Sequence, residues 1–186
     1  SLLGYNKSNP KIAYSSVLFG KNPEQTYEIA KQQKNKNFNA VKFGWENFGI
    51  NIKNDEEHLI AARDALGKDI NLMIDVGAVW GTDVDEANKR SKILKEANII
   101  WLEEPFFSDA FFEYNQLGKI SNLPLAGGES CHSVDSAKNM IRYGNVNFIQ
   151  IDAGIAGGIL AGKEIFDFAE KNNVQYVNHT FTSHLQ

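Results

Sequence analysis

Apolar residues in this chain come in short, nearly continuous runs that stop on a charged side chain. Longer polar stretches with helical periodicity separate them. Asn71 to Gly77, NLMIDVG, is one such run and ends in Asp75. The event recurs in IIWLEEP at Glu103 and Glu104, in LPLAGGES at Glu129, in FIQIDAG at Asp152 and in YVNHTFTSH at His179. The ends at 75, 103, 129, 152 and 179 are spaced 23 to 28 residues apart, the length of a strand, two short loops and a helix. Two earlier runs, Lys11 to Gly20 and Ala40 to Trp45, complete seven predicted strands, the second carrying Lys42 near its end.

The intervening segments carry helix signals. Asn22 followed by Pro23 marks the start of a helix running to about Lys36. Asn54 and Glu57 form a capping-type pair for a helix that stops at Gly67. Thr82 can cap a helix reaching about Ala97. Further helices are predicted from about Asp109 to Ile120, from Ser133 to near Tyr143, and from about Gly158 to Asn172. Strict alternation of strand and helix predicts a parallel sheet with right-handed crossovers. A doubly wound open sheet alternates in the same way, but it usually gathers its ligands at one switch point. Here a chemistry-bearing side chain ends nearly every strand. That favours a (β/α)8 barrel of the TIM type, whose functional groups sit at the C-terminal ends of its strands. Such a barrel takes about 250 residues, so 186 residues predict one domain over 1–186, an incomplete barrel of about seven strands lacking the last β/α unit.

Composition narrows the function. A net charge of −4 argues against nucleic acid and anionic membranes as partners. No apolar run approaches the roughly 18 residues needed to span a bilayer. No N-terminal segment has the pattern of a secretory signal. The single cysteine, Cys131, excludes an internal disulfide framework and points to a reducing, cytoplasmic setting. The expected partner is a small molecule.

Asp75, one of Glu103 and Glu104, and Glu129 would converge at the mouth of a barrel. Three such carboxylates repel one another unless protonated or neutralised by a cation. All-oxygen ligation suits a hard ion, and Mg²⁺ is the natural choice. Taken singly, each acid reads equally well as a solvated loop residue or a helix cap. Asp152 beside His179 would fix the imidazole tautomer and raise its basicity. His184 competes with His179, which is preferred because it closes the run YVN. Lys42 could pair with a substrate carboxylate or move a proton, and reads as readily as an ordinary strand-end lysine. Trp45 and Trp80 follow strand ends and could wall a pocket. Glu104 and His132 stand beside the candidate ligands and could reach its mouth, although His132 fits a surface loop better. His58 falls on a helix and is expected to face solvent.

IDVG, WLEEP, GGES, QIDAGIAGG and NHTFTSH, in this order and spacing, resemble the barrel domain of the enolase superfamily. The likeness is closest to the mandelate racemase subgroup and its acid-sugar dehydratases, and it covers nearly the whole chain. The resemblance implies Mg²⁺ held by Asp75, Glu103 and Glu129, Glu103 being preferred to Glu104 because the family ligand is usually the first acid. It implies an Asp152–His179 dyad and a strand-two lysine at Lys42. Substrate contacts are expected from Lys42, Trp45, Glu104 and His132. The implied reaction removes the α-proton of a sugar-acid carboxylate through an enediolate and then eliminates the β-hydroxyl as water, giving a 2-keto-3-deoxy acid. An epimerase, racemase or cycloisomerase of the same superfamily, or a catalytically silent barrel binding an acidic metabolite, is the alternative. Two positions depart from the family pattern. Lys42-Phe43-Gly44 lacks the second lysine of Lys-x-Lys, and Gly77 stands where many members carry Asn. The resemblance also implies a homo-oligomer, and an N-terminal capping domain outside this chain.

Overall fold

The computed structural model describes residues 11–180 and contains seven parallel strands, each paired with the next in sequence order. They are β1 (Ser15–Leu18), β2 (Ala40–Gly44), β3 (Asn71–Asp75), β4 (Ile99–Glu103), β5 (Leu125–Gly127), β6 (Phe148–Ile151) and β7 (Gln175–Asn178). Helices on the outside connect them: α1 (Pro23–Asn35), α2 (Ile52–Leu66), α3 (Val84–Asn88), α4 (Ser91–Glu96), α5 (Phe111–Ser121), α6 (Val134–Tyr143), α7 (Ala153–Ala156) and α8 (Ile159–Lys171). This is the curled parallel sheet of an incomplete TIM-type barrel.

Period-two alternation assigns each strand residue to one face. Val41, Phe43, Leu72, Ile74, Leu102, Leu125, Ile149 and Ile151 point outward and join Leu59, Leu66, Leu94, Leu117, Met140 and Ile165 of the helices in the main core. On the inner face Ala40, Met73, Trp101 and Ala126 form a second apolar cluster, closed by Tyr14 and Phe148. Trp101 meets Phe148 with ring centroids 5.0 Å apart and Tyr14 edge-on at 6.0 Å. One step of two residues toward each strand's C-terminus changes the chemistry. Ala40 gives way to Lys42, Met73 to Asp75, Trp101 to Glu103 and Phe148 to Gln150. The apolar layer is the floor, and the polar layer above it is the candidate site.

Some boundaries differ from the sequence reading. Asn51, not Asn54, caps α2, because its side chain accepts from the Asn54 N–H at 3.1 Å. Asp83, not Thr82, caps the third helical segment, which breaks into α3 and α4 around the fully buried Arg90. The short α7, capped by Asp152, was not foreseen. His58 is buried rather than solvent-facing. Its Nδ1 lies 2.7 Å from Thr26 Oγ1, which also accepts the Gly20 N–H at 2.9 Å. The sequence misplaced His58 because its partner, Thr26, comes from another helix. Among the described residues no helix is long and apolar enough to cross a membrane.

Candidate active site

A cavity of about 920 Å³ opens at the C-terminal ends of the strands and is lined by Tyr14, Lys42, Trp45, Asp75, Glu129 and His179 among others. Lys42 sits at its base. The ammonium pairs with Glu103 and lies 3.2 Å from Asp75 Oδ2. Burial alone would lower the Lys42 pKa, but Glu103 and Asp75 outweigh it and hold the group firmly protonated. Glu103 is fully buried and its second oxygen accepts the Trp101 indole N–H at 2.8 Å. Burial raises its pKa, with Lys42 opposing and Asp75 adding to the rise. Asp75 is oriented by the Gly77 N–H, 3.1 Å from Oδ1.

The other half of the site comes from the last strands. His179 N–H donates to the Ile151 carbonyl at 2.9 Å, which fixes the residue just beyond β7. Its Nε2 lies 3.2 Å from Glu129 Oε2, while Nδ1 is 3.7 Å from Asp152 Oδ2, outside hydrogen-bond range. Nδ1 has no hydrogen-bond partner among the described residues. The hydrogen bond to Glu129 raises the His179 pKa against the effect of burial, and the same bond lowers that of Glu129. Asp152 Oδ1 accepts from the Gly154 and Ile155 N–H groups at 3.0 and 3.2 Å, which anchors the carboxylate at the start of α7.

Glu104 is not among the residues that line the cavity. Its backbone is left-handed, with φ 44°. The carboxylate is buried, accepting from Tyr114 Oη at 2.9 Å and from the Gly128 N–H at 2.8 Å. Burial pushes its pKa up to about 7. Trp80 is not a wall either: it is buried, and its indole N–H donates to the Gly49 carbonyl at 2.9 Å. His132 is exposed and does line the cavity, as does Trp45. His184 lies outside the described residues.

Two residues were missed by the sequence reading. Tyr14 presents its ring 5.9 Å from Lys42 Nζ. Gln150, 1% exposed, lies beside Glu103 with neither amide atom properly hydrogen-bonded. Both could have been found by stepping two residues along an inner strand face, Tyr14 to Ser16 and Phe148 to Gln150.

The fit to a divalent cation rests on charge and donor type. Asp75, Glu103, Glu129 and Asp152 are four carboxylates facing two cationic groups, Lys42 and His179, even when the imidazole is protonated. Two negative charges remain uncompensated, and the carboxylates offer hard oxygen donors, so the residues suit an ion such as Mg²⁺. They are not gathered for it as they stand. Among the described residues no three such side chains lie at metal-binding spacing, and Asp75 and Glu103 are both paired with Lys42.

Residues 25–186 match the family model described as Enolase C-terminal domain-like. The chain belongs to the enolase superfamily. A predicted mandelate racemase from Rhodobacter sphaeroides has a solved structure that superposes with a TM-score of 0.94 at 43% identity, over 99% of this chain and 48% of that one. This superfamily chain is 31% identical to the L-talarate/galactarate dehydratase of Salmonella typhimurium over 69% of its length and 32% of the relative's. It is 28% identical to the 3,6-anhydro-alpha-L-galactonate cycloisomerase of Streptomyces coelicolor, over 69% of its length and 35% of the relative's. The chain thus spans about a third of these curated relatives and about half of the solved one. Dehydratases and cycloisomerases both stand among its relatives.

Proposed function

We propose that this chain is the catalytic face of a Mg²⁺-dependent acid-sugar dehydratase. The observation that carries the reading is that Lys42 and His179, each held by carboxylates, line one cavity. Asp75, Glu103 and Glu129 would hold the ion. When bound it supplies positive charge to the substrate carboxylate as the α-proton leaves, the main requirement for so weak a carbon acid. Neutral His179 takes that proton, and the nearby Asp152 stabilises the resulting imidazolium. Lys42 stays protonated between Glu103 and Asp75. It therefore acts as a fixed cation toward the developing negative charge and not as a base. The imidazolium then returns its proton to the β-hydroxyl. The C–O bond breaks, its electrons leave with water, and the enol left behind tautomerises to a 2-keto-3-deoxy acid.

Gly44 supports dehydration over racemisation. It follows Lys42-Phe43 on the inner face, where a second lysine would be needed to serve the opposite face of the substrate. A cycloisomerase that shares the first proton abstraction is the second reading, supported by the Streptomyces coelicolor relative.

The test uses the full-length protein, a library of mono- and diacid sugars, and Mg²⁺ or EDTA. Mg²⁺-dependent 2-keto acid from a few sugars is the expected result. Exchange of the α-proton with solvent deuterium and no keto acid would favour the cycloisomerase. Absence of both would leave a silent binding barrel.

A further inference from the structure

Trp45 ends β2 in an unusual way. Its φ is 63° and that of Glu46 is 55°, two consecutive non-glycine residues in the left-handed region. Bulky residues are held there only when their surroundings over-determine them. The Trp45 N–H donates to the Asp75 carbonyl at 3.1 Å, and its own carbonyl accepts the Phe48 N–H at 3.2 Å. The turn sets the indole against Gly77, just beyond the end of β3. A Cβ at Gly77 would come within 3.2 Å of Trp45 Nε1 and 3.3 Å of Cε2, and φ there is +54°. Gly77 thus leaves a notch that the indole fills. Trp45 is 58% exposed and lines the cavity, whereas Trp80 and Trp101 are each 6% exposed. Its indole N–H donates to no group among the described residues.

The cavity has a polarity gradient. Lys42, Asp75, Glu129 and His179 form its charged centre, while the exposed Trp45, Ile12, Leu18 and Ile155 supply an apolar rim. An acid enters such a cavity with its carboxylate at the centre and its remaining carbons against the rim. We propose that Trp45, seated in the Gly77 notch, is the specificity-determining wall. It selects acids that continue past the reacting carbons as a hydroxylated chain. The C–H face of that chain packs on the indole, and a hydroxyl accepts the Nε1 proton. The inference rests on the acid-substrate reading above.

The experiment measures Kd for galactarate, a six-carbon diacid, and for lactate, which has the carboxylate and α-carbon without the chain. Calorimetry with Mg²⁺ is run on the full-length protein and on Trp45→Ala, Trp45→Phe and Gly77→Ala, with α-proton exchange measured alongside. Trp45→Ala should weaken galactarate about tenfold and leave lactate unchanged. Trp45→Phe should recover part of the loss, which a merely misfolded loop would not. Gly77→Ala should displace the indole and move galactarate in the same direction. Equal weakening of both acids, or unchanged galactarate, overturns the wall. Wild-type binding with this selectivity but no α-proton exchange sinks the enzymatic reading and keeps the wall. Binding of neither acid overturns both.

Discussion

Two clusters of buried charge flank the loops after β2 and β3, and they differ in what is left over. In the first, the fully buried Arg90 donates from Nε to Asp55 Oδ2 at 2.6 Å, and from Nη1 to the Glu86 carbonyl and carboxylate at 2.9 and 2.8 Å. Its Nη2 donates to the Gly49 carbonyl at 2.8 Å, and Trp80 covers the guanidinium at 5.2 Å. Asp55 completes the circuit by accepting the Gly49 N–H at 2.9 Å. Glu86 also pairs with Lys89 at 2.5 Å, so two cations meet two carboxylates and the polar atoms close on one another. In the second cluster, at the cavity, acids outnumber cations, and His179 Nδ1 has no hydrogen-bond partner among the described residues. The closed cluster is scaffold. The open one has valence to spare for a ligand, and surplus charge facing a cavity separates the two more surely than burial does.

Breaking the contrast should have its largest effect at His179. His179→Asn should cut turnover by about 10²–10⁴-fold and leave Mg²⁺ affinity by calorimetry and the urea midpoint nearly unchanged. Full activity would remove His179 from the mechanism. Arg90→Ala should do the reverse in kind. It strands Asp55 in the core and should lose about 3–5 kcal/mol of stability in urea unfolding, and a loss under 1 kcal/mol would mean the closed cluster is not scaffold. Mg²⁺ sharpens the comparison from the other side. At a hundred times its Kd it should stabilise the fold by about 2.7 kcal/mol. Asp75→Asn should reduce that gain and Asp55→Asn should not. The smallest effect is at His58. Burial lowers its pKa below the ordinary 6.5, so the unfolded chain takes up its proton first. The contribution is fully present above pH 6.5 and is lost as pH falls toward the folded-state value. His58→Gln should flatten that part of the stability–pH curve, and an unchanged curve would show that His58 does not carry it.

Much of this could be read from the chain because strands advertise their ends. Asp75, Glu103, Asp152 and His179 each follow an apolar run, and the structure sets each at or just past the last residue of β3, β4, β6 and β7. Alternation puts Glu103 on the same face as Trp101 and Glu104 on the other, whereas the preference for Glu103 as a ligand comes from the family resemblance alone. Pairing was not legible. Nothing local says that Glu129 rather than Asp152 reaches His179 Nε2, or that Lys42 lies between two carboxylates, because these distances come from loops and curvature. Arg90 was hidden for a related reason. It resembles a surface helix arginine until the chain breaks there and draws it toward Asp55, which lies 35 residues earlier.

The curl of the sheet has one more consequence. From β2 to β7 there are five strand steps, about 24 Å if the sheet lay flat at ~4.8 Å per strand. Yet Lys42 and His179 line the same cavity, near enough for the lysine charge to act on the imidazole. Bending, and not chain proximity, sets the reach between Lys42 and His179. The outer helices, packed on the convex face, therefore hold a mechanical setting of the site, and repacking them offers a way to retune that reach without altering any residue that meets substrate.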